Sequence, residues 1–129
     1  MKLTKNITLA TLVLTTGGAQ AALVTWDNGG ADTNWYTSGN WDTGTPNIDG
    51  TDNVLINNGD AVTYNPGSDF DPGAGTTITV TGGSSVTQTV GNWQRSSGGT
   101  LTLDNGSWST AGNVRNAYDS GVNAGTYNL

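Results

Sequence analysis

The chain has no cysteine and no histidine, and its ten acidic residues are all aspartate. The missing cysteines exclude a disulfide framework, and without His, Cys, Glu or a mature Lys the groups left for catalysis are Asp, Tyr, Ser, Thr and Arg. Lysine occurs only at Lys2 and Lys5, so the rest of the chain sets Arg95 and Arg115 against every aspartate. Two separated cations on an acidic chain give no footprint for a phosphate backbone, which excludes nucleic acid as a partner, and the same charge disfavours anionic membrane surfaces. Good helix formers are scarce beyond the first twenty residues, where Thr, Val, Gly and Asn dominate; the expected class is all-β.

An apolar run long enough to span a membrane is missing too. Met1 to Asn6 is a short basic start, Ile7 to Leu14 is mostly apolar or Thr, and Ala19-Gln20-Ala21 is a small-x-small cleavage site. Thr15, Thr16, Gly17 and Gly18 interrupt the run well before the ~20 residues that a spanning helix needs. The pattern is that of a secretory signal peptide over 1–21, cleaved after Ala21. The mature chain then carries two cations and ten anions, a formal charge of −8.

What is abundant is repetition. Val54-Leu55-Ile56-Asn57-Asn58-Gly59, Ile78-Thr79-Val80-Thr81-Gly82-Gly83 and Leu101-Thr102-Leu103-Asp104-Asn105-Gly106 share one form, an alternating apolar strand followed by a turn. Tyr127-Asn128-Leu129 begins a fourth copy, so the starts lie 24, 23 and 26 residues apart. Self-similarity at this period predicts stacked coils over 54–129. Period-two alternation puts Val54 and Ile56, Ile78 and Val80, Leu101 and Leu103, then Tyr127 and Leu129, on one core face. Asn58-Gly59, Gly82-Gly83 and Asn105-Gly106 suit the left-handed backbone of a sharp corner. The same dipeptides are hairpin signals, and an antiparallel β-sandwich or meander is the alternative.

A second strand in each coil is less regular. Val62 and Tyr64 match Val86 and Gln88 at an interval of 24, but at an interval of 23 the third copy offers Ser109, with Trp108 one place earlier. A one-residue slip reverses the face, so either Trp108 lies outside or a bulge restores it. Phe70, Trp93 and Val114 suggest a third apolar stack, and Asn92 over Asn113 an amide ladder. Residues 22–53 show no repeat and concentrate Trp26, Trp35 and Trp41 among Gly and Asn, as expected of a Trp-rich cap over the first coil.

The Asn34-Trp35 and Asn40-Trp41 pairs, the Gly-Gly-Ser and Asn-Gly-Ser corners and the Gly-Asn-x repeats resemble the amino-terminal part of secreted bacterial β-solenoid surface proteins. These carry autotransporter-associated strand repeats and often end in a PEP-CTERM sorting signal. The resemblance covers residues 24–129 and implies a right-handed parallel β-helix of about three coils. It also implies export to the bacterial surface and an adhesive or matrix role. The chain departs from the family in having no carboxy-terminal sorting or translocator segment and in stopping after three coils, as a truncated chain would.

Chemistry has few places to reside. Asp69 and Asp71 fall on one side of an extended segment and are the closest carboxylate pair, but Asp71-Pro72-Gly73 is first a turn formula. Calcium, which needs several oxygens, is the better chemical reading of Asp69 and Asp71 or of Asp49 and Asp52, though no established calcium-loop motif is present. Exposed aromatic faces stack on sugars, so Trp26, Trp35, Tyr36, Trp41 and Trp108 are the glycan-binding candidates; the competing reading is that the indoles plug the core. Arg95 and Arg115 read as loop charges near Asp104 and Asp119. The expected function is a non-catalytic, secreted β-solenoid scaffold of a cell-surface, matrix or adhesin-like protein, and the alternative is a glycan-binding module, free or attached to a polysaccharide-degrading enzyme. Expected partners are extracellular polysaccharide, other surface proteins, and a second copy joined through the open carboxy-terminal coil.

Overall fold

Alternation of buried and exposed residues builds short strands that the corners keep from pairing with their sequence neighbours. The computed structural model describes residues 20–67, 69–91, 98–114 and the backbone of 126–128. Nearly all of the expected signal peptide (1–21), together with Ser68, Asn92, Trp93, Arg95, Arg115, Asp119 and Leu129, lies outside the described residues. The strands are β1 (Ala22–Thr25), β2 (Asp52–Ile56), β3 (Ala61–Tyr64), β4 (Thr77–Thr81), β5 (Ser85–Gln88), β6 (Thr100–Asp104), β7 (Ser107–Thr110) and β8 (Thr126–Asn128). They form a five-stranded sheet ordered β1-β2-β4-β6-β8 and a three-stranded sheet ordered β3-β5-β7. Every ladder between named strands is parallel. The antiparallel meander that the Asn-Gly corners also allow does not form: β2 and β3 join different sheets, as do β4 and β5, and β6 and β7.

Equivalent residues lie side by side across the first sheet. Val54 pairs with Ile78, Ile78 with Leu101 and Leu101 with Tyr127, as the repeat spacing predicts. Val24, Val54, Ile56, Ile78, Val80 and Leu101 are buried from this sheet, and Val62, Tyr64, Val86 and Gln88 from the other. Each fully buried aliphatic side chain contributes about 1.5–3 kcal/mol by leaving water. Phe70 closes the core from the connecting segment, but Val114, expected to stack with it, is 59% exposed.

The second sheet answers the question left open at Trp108. Val86 pairs with Trp108, so the indole occupies the inward register. Three residues, Gly82-Gly83-Ser84, separate Thr81 from Ser85, whereas only Asn105-Gly106 separates their partners Asp104 and Ser107. A residue dropped at the corner, not a bulge in the strand, restores the face.

The amino-terminal stretch is more than a cap. β1 pairs in register with β2, Val24 beside Val54, and Asn34 makes a parallel bridge to Thr63. The first layer therefore uses the same two strand positions as the others, with a longer excursion between and after them.

Corners stack on one another through the backbone. Gly83 N–H donates to Asn105 O at 2.6 Å, and Gly59 N–H to the buried Ser84 Oγ at 3.0 Å. Asn105 takes a left-handed φ of 54°. Gly82 has a φ of 63°, and a Cβ there would sit 2.5 Å from Asn57 O, in the layer below; at Gly83, φ 82°, a Cβ would meet nothing within 4 Å. Gly83→Ala is therefore expected to lower unfolding free energy by about 1–2 kcal/mol from backbone strain alone. Gly82→Ala should lose about 3 kcal/mol or more, because the layers must also part. Urea unfolding of the two variants measures the difference; equal losses would mean that the corners are not in close contact.

Candidate functional site

The aromatic residues singled out in the sequence gather around one loop, Asp27 to Asp49, which leaves the end of β1 and returns across the top of the core. Its path is set by short aspartate and asparagine side chains that take the next-but-one amide. Asp27 Oδ1 accepts from Gly29 N–H at 2.9 Å, Asp32 Oδ1 from Asn34 N–H at 2.9 Å, and Asn34 Oδ1 from Tyr36 N–H at 3.1 Å. Such turns cost little because the side chain replaces a missing backbone partner. A single 3₁₀ turn, Ser38–Asn40, then brings Asn40 inside.

Asn40 is fully buried and holds the loop together. Its Nδ2 donates to Asp32 O, Asp32 Oδ1 and Asn34 O, each at 3.0 Å, while its Oδ1 accepts from Gly30 N–H at 2.9 Å. Its own carbonyl accepts from Asp27 and Asn28 N–H groups. No sequence pattern singled it out; the only trace was the Asn-Trp pair repeated at 34–35 and 40–41.

Beneath this loop lies a continuous series of rings. Trp26 and Trp41 meet edge-on at 5.0 Å, Trp41 and Trp35 at 4.8 Å, and Trp35 and Tyr64 at 5.2 Å. Tyr64 and Phe70 follow at 4.6 Å, and Phe70 and Trp108 at 4.7 Å. Edge-to-face pairs add about 0.5–1.5 kcal/mol each beyond the area they bury. The indole N–H groups are committed inward as well: Trp41 Nε1 donates to Trp35 O at 2.7 Å and Trp26 Nε1 to Asp60 Oδ2 at 3.2 Å. Burial pushes the Tyr64 phenol well above its ordinary range, helped by the adjacent Tyr36 hydroxyl.

These positions correct the glycan assignment for three residues. Trp26, Trp35 and Trp41 are at most 3% exposed and offer no ring face to a sugar. Trp108, expected to be the more exposed contact, is half-buried and packed against the core. Tyr36 alone keeps an open face, at 46% exposure, its ring tilted over Tyr64 with centroids 5.6 Å apart.

The two carboxylate pairs offered for calcium lie in two different connections. Asp52 Oδ2 accepts from Asn47 N–H at 2.7 Å and Asp49 Oδ1 from Thr51 Oγ1 at 3.1 Å, which uses both to close the Asn47–Asp52 turn. Asp69 and Asp71 flank the buried Phe70 in a separate connection. Among the described residues, no group of three or more acidic side chains is placed to hold a metal ion. Asp32 and Asp42 are held below the ordinary carboxylate value of 3.8, chiefly by the backbone N–H groups of Asn34 and Thr25. Carboxylates so held stay ionised and anchor the loop through those hydrogen bonds. Comparison with protein-family models, with curated proteins and with solved structures finds no match.

Two outcomes test this account of the loop. Asn40→Ala strands Gly30 N–H and two carbonyls, and a loss of about 2–4 kcal/mol is expected on thermal or urea unfolding. Asn40→Asp should be worse, since it sets a buried carboxylate against Asp32 Oδ1. The lowered pKa of Asp32 and of Asp42 adds stability that is complete above the unfolded carboxylate range and is lost as pH falls through the folded values. The unfolding temperature should hold from neutrality to about pH 5 and then decline. Asp32→Asn and Asp42→Asn should flatten that decline; an unchanged acid limb in both would remove the two carboxylates from the account.

Proposed function

We propose that the chain is a secreted, non-catalytic β-solenoid scaffold of a bacterial cell-surface, matrix or adhesin-like protein, wound as a right-handed parallel β-helix. The observation that carries this reading is the in-register stacking of equivalent residues in two parallel sheets, with the chain passing from one sheet to the other at each corner. A right-handed path is what parallel crossover connections follow almost without exception. Growth by repeating one layer suits a stalk or spacer, because length is added without a new core being designed. Trp26, Trp35 and Trp41 are instead spent on closing the first layer, and Asp49 and Asp52 on holding one turn.

A glycan-binding module is the second reading, and Tyr36 is the observation that favours it. Its open ring rests on the buried aromatic series and is flanked by the hydroxyl- and amide-rich loop.

Export is tested by expressing the full chain in a Gram-negative host and determining the amino terminus of the product outside the cytoplasm. Processing to Ala22 is expected; an uncleaved product confined to the cytoplasm would defeat the secreted reading. Pull-down on insoluble polysaccharides separates the two functions. As a scaffold the chain should be retained equally with Tyr36 and with Tyr36→Ala, whereas retention lost in Tyr36→Ala and kept in Tyr36→Phe would establish the glycan module.

A further inference from the structure

β1 is the outermost strand of the five-stranded sheet, and a strand in that position offers a row of peptide groups to any other chain. Ala22 N–H donates to Thr51 O at 3.0 Å and Trp26 N–H to Leu55 O at 2.9 Å, so these alternate residues face β2. Leu23 and Thr25 therefore turn their peptide groups away from the sheet.

At Thr25 both outward groups are occupied by one residue. The N–H donates to Asp42 Oδ1 at 2.9 Å, and the C=O accepts from Asp42 N–H at 2.9 Å. Asp42 thus supplies one acceptor and one donor, as an antiparallel neighbour would, with a carboxylate oxygen in place of a carbonyl. One residue further on, Trp26 and Trp41 form an antiparallel bridge. The segment is fixed from below by the buried Trp41 indole, which is wedged edge-on between Trp26 and Trp35 and bonded to Trp35 O. Asp42 itself is exposed and puts a negative charge at the edge. Leu23 is left open, its side chain 57% exposed.

We infer that the Trp41–Asp42 segment is an intramolecular guard, which occupies the pairing position beside β1 and stops a second copy of this chain from adding its own β1 there. The occupant kept out is a second copy because Ala22-Leu23-Val24-Thr25 carries no charged side chain on an otherwise acidic protein. It can approach its equal without opposing like-charged side chains, and two such strands can pair antiparallel about Leu23 in a self-complementary contact. The guard is independent of what the scaffold carries.

Since the chain has no cysteine, Leu23→Cys gives a single reporter of this contact. Its intermolecular disulfide yield under mild oxidant is compared in the full chain with Asp42, Asp42→Asn and Asp42→Pro. Proline removes both the carboxylate and the N–H. The residue before it must be extended, a condition Trp41 already meets at φ −127° and ψ 142°. Loss of two edge hydrogen bonds is expected to raise the dimer yield about tenfold or more in Asp42→Pro. Asp42→Asn, which keeps an acceptor oxygen and the N–H, should stay at the level of the parent. Equal yields in Asp42 and in a folded Asp42→Pro would overturn the guard, as would a Thr25 amide that exchanges with deuterium as fast as that of Leu23 in the unsubstituted chain. Should Asp42→Pro fail to fold, Asp42→Ala takes its place, with a rise in dimer again expected and no rise again decisive against it.

Discussion

Everything in this molecule depends on hydrogen bonding between layers that are parallel and in register. A single layer cannot satisfy its own strand donors and acceptors, because its strands join different sheets and never pair with each other. Each layer is completed only by the next, and buried peptide groups left without that neighbour would cost more than any side-chain contact restores. Register then dictates composition. Aliphatic side chains stand on aliphatic ones, as in Val54, Ile78 and Leu101, and corners on corners, as in Gly83 on Asn105. The corner glycines are part of this constraint, since the Cα of Gly82 lies where a side chain would strike Asn57 O below.

Among the described residues the first layer has a neighbour on one side only, and the Trp-rich loop is the answer to that deficit. Large rings cover a wide area with few residues, and their edge-to-face contacts join the loop to Tyr64, Phe70 and Trp108 in the layers beneath. Rings alone would leave the polar backbone of so irregular a loop unpaired. Asn40 resolves this by presenting amide donors and a carbonyl acceptor from a fully buried position, so that one side chain satisfies four groups of the loop. The loop is therefore apolar where it meets the core and hydrogen-bonded where it passes over it, the combination that an end of a stack requires.

How much of this could be read from the residues differs from element to element. The first sheet was legible from β2 onward because period-two alternation and a spacing of 24 and 23 residues survive as patterns in the chain. β1 was not, because the long Trp-rich excursion separates Val24 from its partner Val54 and hides the repeat. The second sheet was half legible: a corner shortened by one residue moved Trp108 out of the expected column while leaving its side chain pointing inward. The candidate site was the least legible part. Trp beside Asn and Gly has the same composition whether the indole faces a sugar or a core, and burial, which decides between them, is a property of the layers packed around it. Asn40 and Asp42 matter through partners far enough along the chain that no local pattern marks them.

The placement of charge follows from the same stacking. In a parallel in-register sheet, an outward residue repeated in each layer recurs about every 4.8 Å, and a column of carboxylates at that distance would be strongly repelled. A chain with ten aspartates and few cations must avoid such columns or give up the register. It does so by filling the repeated outward positions with hydroxyl side chains, as in Thr77 beside Thr100, Thr79 beside Thr102 and Thr63 beside Thr87. Neighbouring hydroxyls can bond to one another, as Thr33 does to Thr63 at 3.2 Å. Among the described residues, the aspartates fall where the repeat is broken or varied. Asp104 pairs with Thr81, Asp52 with Ala22, and Asp32 and Asp42 lie in the unrepeated loop. Charge is thus held at corners and in the loop at the first layer's end, and the faces between them stack without it. An aspartate that moved from a corner to a repeated face position would weaken the stack even though it touched nothing in the core.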